Sequence, residues 1–504
     1  MDTEAPEKPS RRSFFFFGAL AAATTLIPRK SSAQTPPRPR RVRQPGQNPR
    51  TVAAGESVMA SEAASPLGRL VRRVTMGVTP VEMDRAKTMG YQGYLQYQLN
   101  HTRIDNSAAE SFVSLAYPDL AMSPAQLIGL DPGAVRNQLQ ESTIYRAAFS
   151  QWQLYERMVE FWSDHFNIDF DKVQYLKVID DRDVIRKNAL GKFPDLLKAS
   201  AHSPAMMAYL DQNVSSNRAP NQNYAREIME LHTLGVDGGY TQDDVAELSR
   251  VLTGWTLTGQ GSFNFNSAIH DTGNKVVLGT TIVGQSGAAG INEGEQVLDM
   301  LVKHPSTAKF IATKMIKWLL DPNPSDAQVS TIAAVYRTTG GDIKAMVRAI
   351  LNDAWLPAAP LKFKRPFHLV ASALRSANPT ARVSMATMNG QLVALGHQSF
   401  TWDTPDGFPD KIEYWAGNIL PRWNFGVTLS NLNSANSIQV DTTAYRSGTT
   451  ANAIDLIDQN FFGGEMDPAE RVLLLNYLNA GTFNDTRVRE TMSLAMSING
   501  FQWY

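Results

Sequence analysis

Cysteine is absent from all 504 residues. The chain therefore has no disulfide framework, no thiolate nucleophile and no cysteine-ligated metal. An excess of either charge is absent too: 48 basic residues meet 48 acidic ones, so no net field draws the protein to nucleic acid. Beyond residue 33 nothing approaches the run of about 18 apolar residues that marks a membrane-spanning helix, and no transmembrane segment is expected in the mature chain. Several catalytic signatures are missing as well. There is no His-Glu-x-x-His, no Gly-x-Ser-x-Gly, no phosphate-binding Gly-x-x-x-x-Gly-Lys and no dinucleotide fingerprint.

The N-terminus carries a targeting pattern. A polar leader ends in Arg11 and Arg12, an apolar stretch runs from Phe14 to Ile27, and Ser31-Ser32-Ala33 offers the small side chains of a cleavage site. Ser10-Arg11-Arg12-Ser13-Phe14-Phe15 matches the twin-arginine export signal. Residues 1–33 are thus expected to be a twin-arginine signal peptide cut after Ala33, which leaves the protein periplasmic or secreted. A cysteine-free protein that folds in the reducing cytoplasm before export is consistent with that route. Residues 34–64 are rich in Pro, Arg, Gln and Ser, and bury too little to offset their ordering entropy. They read as a disordered linker, whose Arg38, Arg40, Arg41 and Arg43 either stay solvated or touch an acidic polymer.

From Ser65 onward the pattern is helical. Ser65-Pro66 and Thr79-Pro80 are cap-and-proline openings. Leu67, Leu70, Val71 and Val74 recur at helical spacing. Helices are expected near 144–167, 222–234, 241–253, 305–320, 325–338, 341–352, 366–376 and 468–479, among others. Strand-like alternation is scarce, Lys275–Gly279 being the best candidate. The expected fold is mainly α, a multi-helix protein of two lobes with a small β-hairpin or irregular insertion. Its parts are an N-terminal helical lobe at 65–258, the insertion at 259–292 and a C-terminal helical lobe at 293–504. About 440 residues exceed one core's usual size, which is the reason for two lobes.

Several stretches carry a resemblance. They include Leu70-Val71-Arg72-Arg73-Val74-Thr75-Met76-Gly77, Glu160-Phe161-Trp162-Ser163-Asp164-His165-Phe166-Asn167, Asn223-Tyr224-Ala225-Arg226-Glu227 and Glu230-Leu231-His232-Thr233-Leu234-Gly235. Gly238-Gly239-Tyr240-Thr241-Gln242, Leu252-Thr253-Gly254-Trp255 and His304-Pro305 continue the series. Together they resemble the bacterial exported family catalogued as domain of unknown function 1800, over about 66–504. The resemblance implies secretion and a genomic neighbour from a second exported family. It supplies no catalytic residues. Gly396-His397-Gln398 departs from the family pattern by placing His397 between the glycine and the glutamine.

Candidate site residues come from polar groups on apolar helices. On a wheel of about 100° per residue, His165 falls in the arc of Met158, Phe161, Trp162 and Phe166, while Glu156, Glu160 and Asp164 lie opposite. A buried histidine needs a partner. His165 is either bonded to a backbone carbonyl or catalytic. Asn223, Glu227 and Glu230 form one stripe, and His232 points elsewhere. Two carboxylates three residues apart make an acid–base pair, a metal half-site or a salt-bridge network. Asp211 and Asn213, just upstream, either approach Asn223 at the mouth of a cleft or simply end a helix. His270-Asp271 in a polar loop suggests a metal ligand or an oriented base. His304-Pro305 reads as a helix opening, and Asp342 after Gly340-Gly341 as a helix cap.

Three functions follow as expectations. The first is a hydrolase or lyase on an envelope or extracellular polymer, with Glu227, Glu230 and His165 catalytic and Asp211, Asn213, Asn223, His270 and Asp271 binding. The second is a non-catalytic binding or assembly protein working with a co-exported partner. The third is a redox protein carrying a divalent metal, although the Glu-x-x-His spacing of carboxylate-bridged bundles is absent. The sequence alone assigns neither a cofactor nor a metal ligand.

Overall fold

Capping side chains set most of the helix starts. Ser65, Thr79, Asp131, Thr241, Ser325, Asp342 and Asp467 each accept a hydrogen bond from a first-turn N–H, and prolines stand in the first turn at 66, 80, 132, 305, 366 and 468. Both devices satisfy or remove amide groups that have no partner within the helix. A computed structural model describes residues 64–504 apart from Gln260. The signal, its cleavage after Ala33 and nearly all of the 34–64 linker lie outside the described residues. Among the described residues there are twenty-four α-helices and six short strands, paired as three two-stranded antiparallel sheets. The protein is mainly α, with a small β-hairpin insertion.

The insertion holds the pair Lys275–Val277 with Thr280–Ile282 and supplies Phe263–Phe265 to a second pair, whose other strand, Trp255–Leu257, comes just before it. The strand expected at Lys275–Gly279 is thus one arm of a hairpin. Helices on both sides of the insertion share one apolar cluster, which draws on residues from Leu70 to Ala359. A second cluster draws on Met76, the 109–148 region and residues 367–501.

Three local findings differ from the sequence reading. The sequence reads as one helix opened by Thr79-Pro80 and ending at Gly90 and another from Gly93 to Leu99; the two merge into Pro80–Leu99, kinked at Gly90, which has φ 69°. The single helix expected at 144–167 is two, Pro132–Phe149 and Gln153–His165. The break has a tertiary cause: Asn106 Oδ1 accepts from the Ser150 hydroxyl (3.0 Å) and the Gln151 N–H (2.8 Å), which draws the chain out of helical register. The helix expected at 222–234 is α only over Gln222–Glu227 and winds on as a π segment, Ile228–Thr233. Among the described residues no helix is long and apolar enough to cross a membrane.

Candidate active site

The helix Gln153–His165 buries Leu154, Met158, Phe161, Trp162 and His165. Its polar edge, expected to face away from the core, is covered as well. Glu156 is buried and pairs with Arg186 at 3.0 Å. Glu160 and Asp164 both hold Arg365, which arrives from the chain just before the helix Pro366–Ala377. Nη2 lies 2.5 Å from Glu160 and Nη1 lies 2.6 Å from Asp164. The same guanidinium donates to the Phe408 carbonyl and stacks 4.6 Å over the Trp318 ring. Two carboxylates and an aromatic face hold the Arg365 charge firmly.

Asp164 opens onto a cavity of about 610 Å³, also lined by His165, Lys314, Trp318, Arg365, Asp406 and Tyr414. Burial, reinforced by the charge of Glu160, outweighs Arg365 and pushes the Asp164 carboxyl up to about 6. Opposite in sign is Lys314, on the helix Pro305–Leu319. Burial lowers its ammonium to about 8, although Asp164 and Asp406 pull the other way. The ammonium lies 5.6 Å from the Phe310 ring centroid, and among the described residues it has no hydrogen-bond or ion-pair partner.

A loop closes one wall. Asn167 Nδ2 donates to the carbonyls of Trp402 and Thr404, both at 2.8 Å. Gly407 sits against the Asp164 main chain at φ 75°, where a Cβ would overlap the Asp164 carbonyl oxygen. Only glycine satisfies both the dihedral and the close approach. Asp406 accepts from the Trp402 indole (3.1 Å) and the Thr404 hydroxyl (2.6 Å).

His165 donates from Nε2 to the His232 carbonyl at 3.1 Å. That bond assigns the proton to Nε2 and leaves Nδ1 as an acceptor. Nδ1 is buried and without a partner, as is Nε2 of His232. Burial holds both imidazoles below their ordinary value, His232 at about 3.

The remaining predicted residues fall into three groups. Glu227, half-buried, is pushed up to about 7 by burial first and then by its neighbours Glu230 and Asp406. Glu230 accepts from the Tyr240 hydroxyl at 3.0 Å. The π segment begins directly after Glu227, so the pair does not lie on one regular helix face. Such π turns recur at functional sites. Asp211 and Asn223 are exposed and held near each other by Asn221, whose side chain donates to the Asp211 carbonyl and accepts from the Asn223 N–H. Asp211 also pairs with Lys172 at 3.0 Å. Asn213 turns away, and its carbonyl accepts from Thr256 at 2.8 Å.

His270 and Asp271 belong elsewhere. His270 is buried with both nitrogens engaged, Nδ1 at 2.7 Å from the Thr253 carbonyl and Nε2 at 3.1 Å from Glu293. Glu293 in turn pairs with the fully buried Lys275 at 2.6 Å, and Asp271 pairs with Arg250 at 2.8 Å. This is a closed structural network. His397 is also buried, stacked on Trp415 and accepting from the Phe367 N–H. Among the described residues no three His, Asp or Glu side chains converge as a metal site.

Lys314, Arg365 and Asp406 escaped the sequence reading. A signal for the loop was present: Trp402-Asp403-Thr404-Pro405-Asp406-Gly407-Phe408-Pro409-Asp410-Lys411 is the longest acid-, proline- and glycine-punctuated stretch beside the C-terminal helices. Nothing local, however, ties it to residue 164.

The match to known families decides the affiliation. The model of the family described as "Protein of unknown function (DUF1800)" matches residues 69–503. The chain belongs to that family. No curated protein and no solved structure matches it. All the cleft residues named here, and the π turn after Glu227, lie inside the family's span.

Proposed function

We propose that this DUF1800 protein is exported by the twin-arginine route and acts outside the cytoplasm as a hydrolase or lyase on an envelope or extracellular polymer, with the Asp164–Lys314 cleft as its active site. One observation carries the reading. Two groups of opposite charge type, displaced from both directions toward neutrality, line one cavity. Such displacements mark acid–base chemistry. At pH 7 a carboxyl near 6 is mostly ionised and an ammonium near 8 is mostly protonated. Asp164 is then the base that takes a proton from water or from carbon, and Lys314 is the acid that gives one to the leaving group. Arg365 positions Asp164 through their 2.6 Å contact. Glu227 lies in the field of Asp406, which lines the cleft, as a second group that titrates near neutrality. His165, neutral and with Nδ1 free, supports the wall beneath.

The test is turnover on a panel of peptidoglycan, polysaccharide and polyester substrates by the purified mature protein. Asp164→Asn and Lys314→Met each remove activity while the thermal midpoint stays near that of wild type. Activity that survives in both variants refutes the assignment.

A second reading has its own observation. Leu420, Trp423 and Val427 share one face of the helix Ile419–Asn431 and are each more than half exposed. Ile412 and Tyr414, the latter lining the cleft, extend this apolar face. Exposed apolar surface of this kind suits docking of a co-exported protein. Trp423→Ser with Leu420→Ser then abolishes co-purification with that protein and leaves the fold intact.

A further inference from the structure

Buried guanidinium groups in this protein are satisfied in different ways, and among the described residues Arg157 and Arg422 meet only neutral partners. Arg365 and Arg186 have their acids, and Arg73 donates to four main-chain oxygens. A separate cavity of about 370 Å³ takes in another of them, Arg375. It is lined by Thr79, Glu82, Phe149, Arg375, Ser376 and Arg382, among others, and shares no lining residue with the cleft.

Arg375 is buried and donates only to the carbonyls of Gly77 and Ala148, both at 2.9 Å, through Nε and Nη1. Its Nη2 is unused. Arg382 donates to the Pro379 carbonyl through Nε and to the Asn378 amide oxygen through Nη2, and stacks 4.4 Å over the Phe149 ring. Its Nη1 is unused. Neither has a carboxylate within ion-pair distance among the described residues. The one acid on the cavity wall, Glu82, is consumed by Arg85 and by the Tyr94 hydroxyl. The same cavity wall carries Ser376, 2% exposed, whose hydroxyl has no partner among the described residues.

A buried cation without a counter-charge is costly, and a buried hydroxyl without a partner costs more than a satisfied one. Arg382, only partly buried, shares the cavity with Arg375, and the two cations repel each other. Burial, and more weakly the charges of Arg85 and Arg382, hold Arg375 below its ordinary value against the opposite pull of Glu82. One guest relieves all three defects at once: an oxyanion, accepting from the two free guanidinium N–H groups and from the serine hydroxyl.

We propose that the cavity between Arg375, Ser376 and Arg382 is a binding site for an oxyanion group, a phosphate or a carboxylate, of a ligand distinct from the polymer handled in the cleft. The test is calorimetric titration of the intact mature protein with inorganic phosphate and, separately, with acetate, at constant ionic strength set by sodium chloride. Saturable binding of phosphate identifies a phosphoryl ligand. Saturable binding of acetate alone identifies a carboxylate. Arg382→Gln then weakens binding about tenfold or more, the range expected when one charge-assisted hydrogen bond is lost, and Ser376→Ala weakens it less. Both variants leave the carbonyl ties of Arg375 in place, so a folded protein is retained, and Asp164-dependent turnover is unchanged in each. No saturable heat with either anion overturns the proposal. So does binding of equal strength in wild type, Arg382→Gln and Ser376→Ala.

Discussion

Two lysines set two regions of the molecule apart. Lys275, in the hairpin insertion, is fully buried and lies 2.6 Å from Glu293, which also meets His270. Lys314, in the cleft, is partly buried and has neither an ion-pair nor a hydrogen-bond partner among the described residues. Both regions contain a histidine, an acid and a lysine. In the insertion every polar atom of the trio is spent on another, and the Gln285 N–H at 2.6 Å takes up a further Glu293 lone pair. In the cleft the acid is tied to Arg365, whereas the amine and one imidazole nitrogen are left unused. Pairing turns such residues into scaffold, and its absence leaves them free to meet a ligand. The dipeptide His270-Asp271 looked more like a site than Lys314 did because composition reveals residue type and not saturation.

The largest effect expected from breaking this contrast is on the insertion. Glu293→Ala strands a buried ammonium and should cost about 3–5 kcal/mol in a denaturant titration. A loss below about 1 kcal/mol contradicts the structural reading of that trio. Next is the cleft wall. Gly407→Ala combines a positive φ with overlap at the Asp164 carbonyl and should cost about 1–3 kcal/mol while abolishing turnover. Unchanged stability and activity there break the link between loop and site.

A third prediction concerns pH. The Lys314 ammonium is lowered from 10.5 to about 8 in the folded state. Between those values the unfolded chain binds the extra proton, so stability rises with pH across that window and is lost as pH falls through about 8. Lys314→Met removes that slope. The Asp164 carboxyl runs the other way. It is raised from 3.8 to about 6, so its contribution is present at low pH and is lost as pH rises through 6; Asp164→Asn removes that decline. On the proposed mechanism, turnover follows a bell with limbs near the same two values. The smallest effect is on the surface. Asp211→Ala breaks only an exposed pair with Lys172 and should change stability by less than about 1 kcal/mol.

Helix positions were largely legible in the sequence, because 3.6-residue periodicity and Ser/Thr/Asp-Pro openings are local signals. Ser65, Thr79 and Asp342 cap helices where their neighbours said they would, and His304 accepts from the Ser306 N–H at the start of its helix. The break at Ser150 was not legible, since its cause is Asn106, which lies 44 residues away. The cleft was legible only in part. His165 stands on its wall, and Glu227 lies in the field of Asp406, yet Asp164 and Lys314 come from separate segments. Lys314 lies inside a helix whose apolar residues dominate any wheel, and its freedom from partners is a fact of tertiary structure alone.

The hydrogen bonds from Asn167 to Trp402 and Thr404 span 235 and 237 residues of chain. Contacts of such range form late, because a long loop must close before they repay its entropy. While the ribosome is still adding the residues between them, Asp164 has its lysine and its arginine still to come and no wall. The cleft is therefore among the last parts of the molecule to exist. A chain truncated before residue 402 lacks the Trp402 and Thr404 carbonyls that hold Asn167 and, with them, one wall of the cleft.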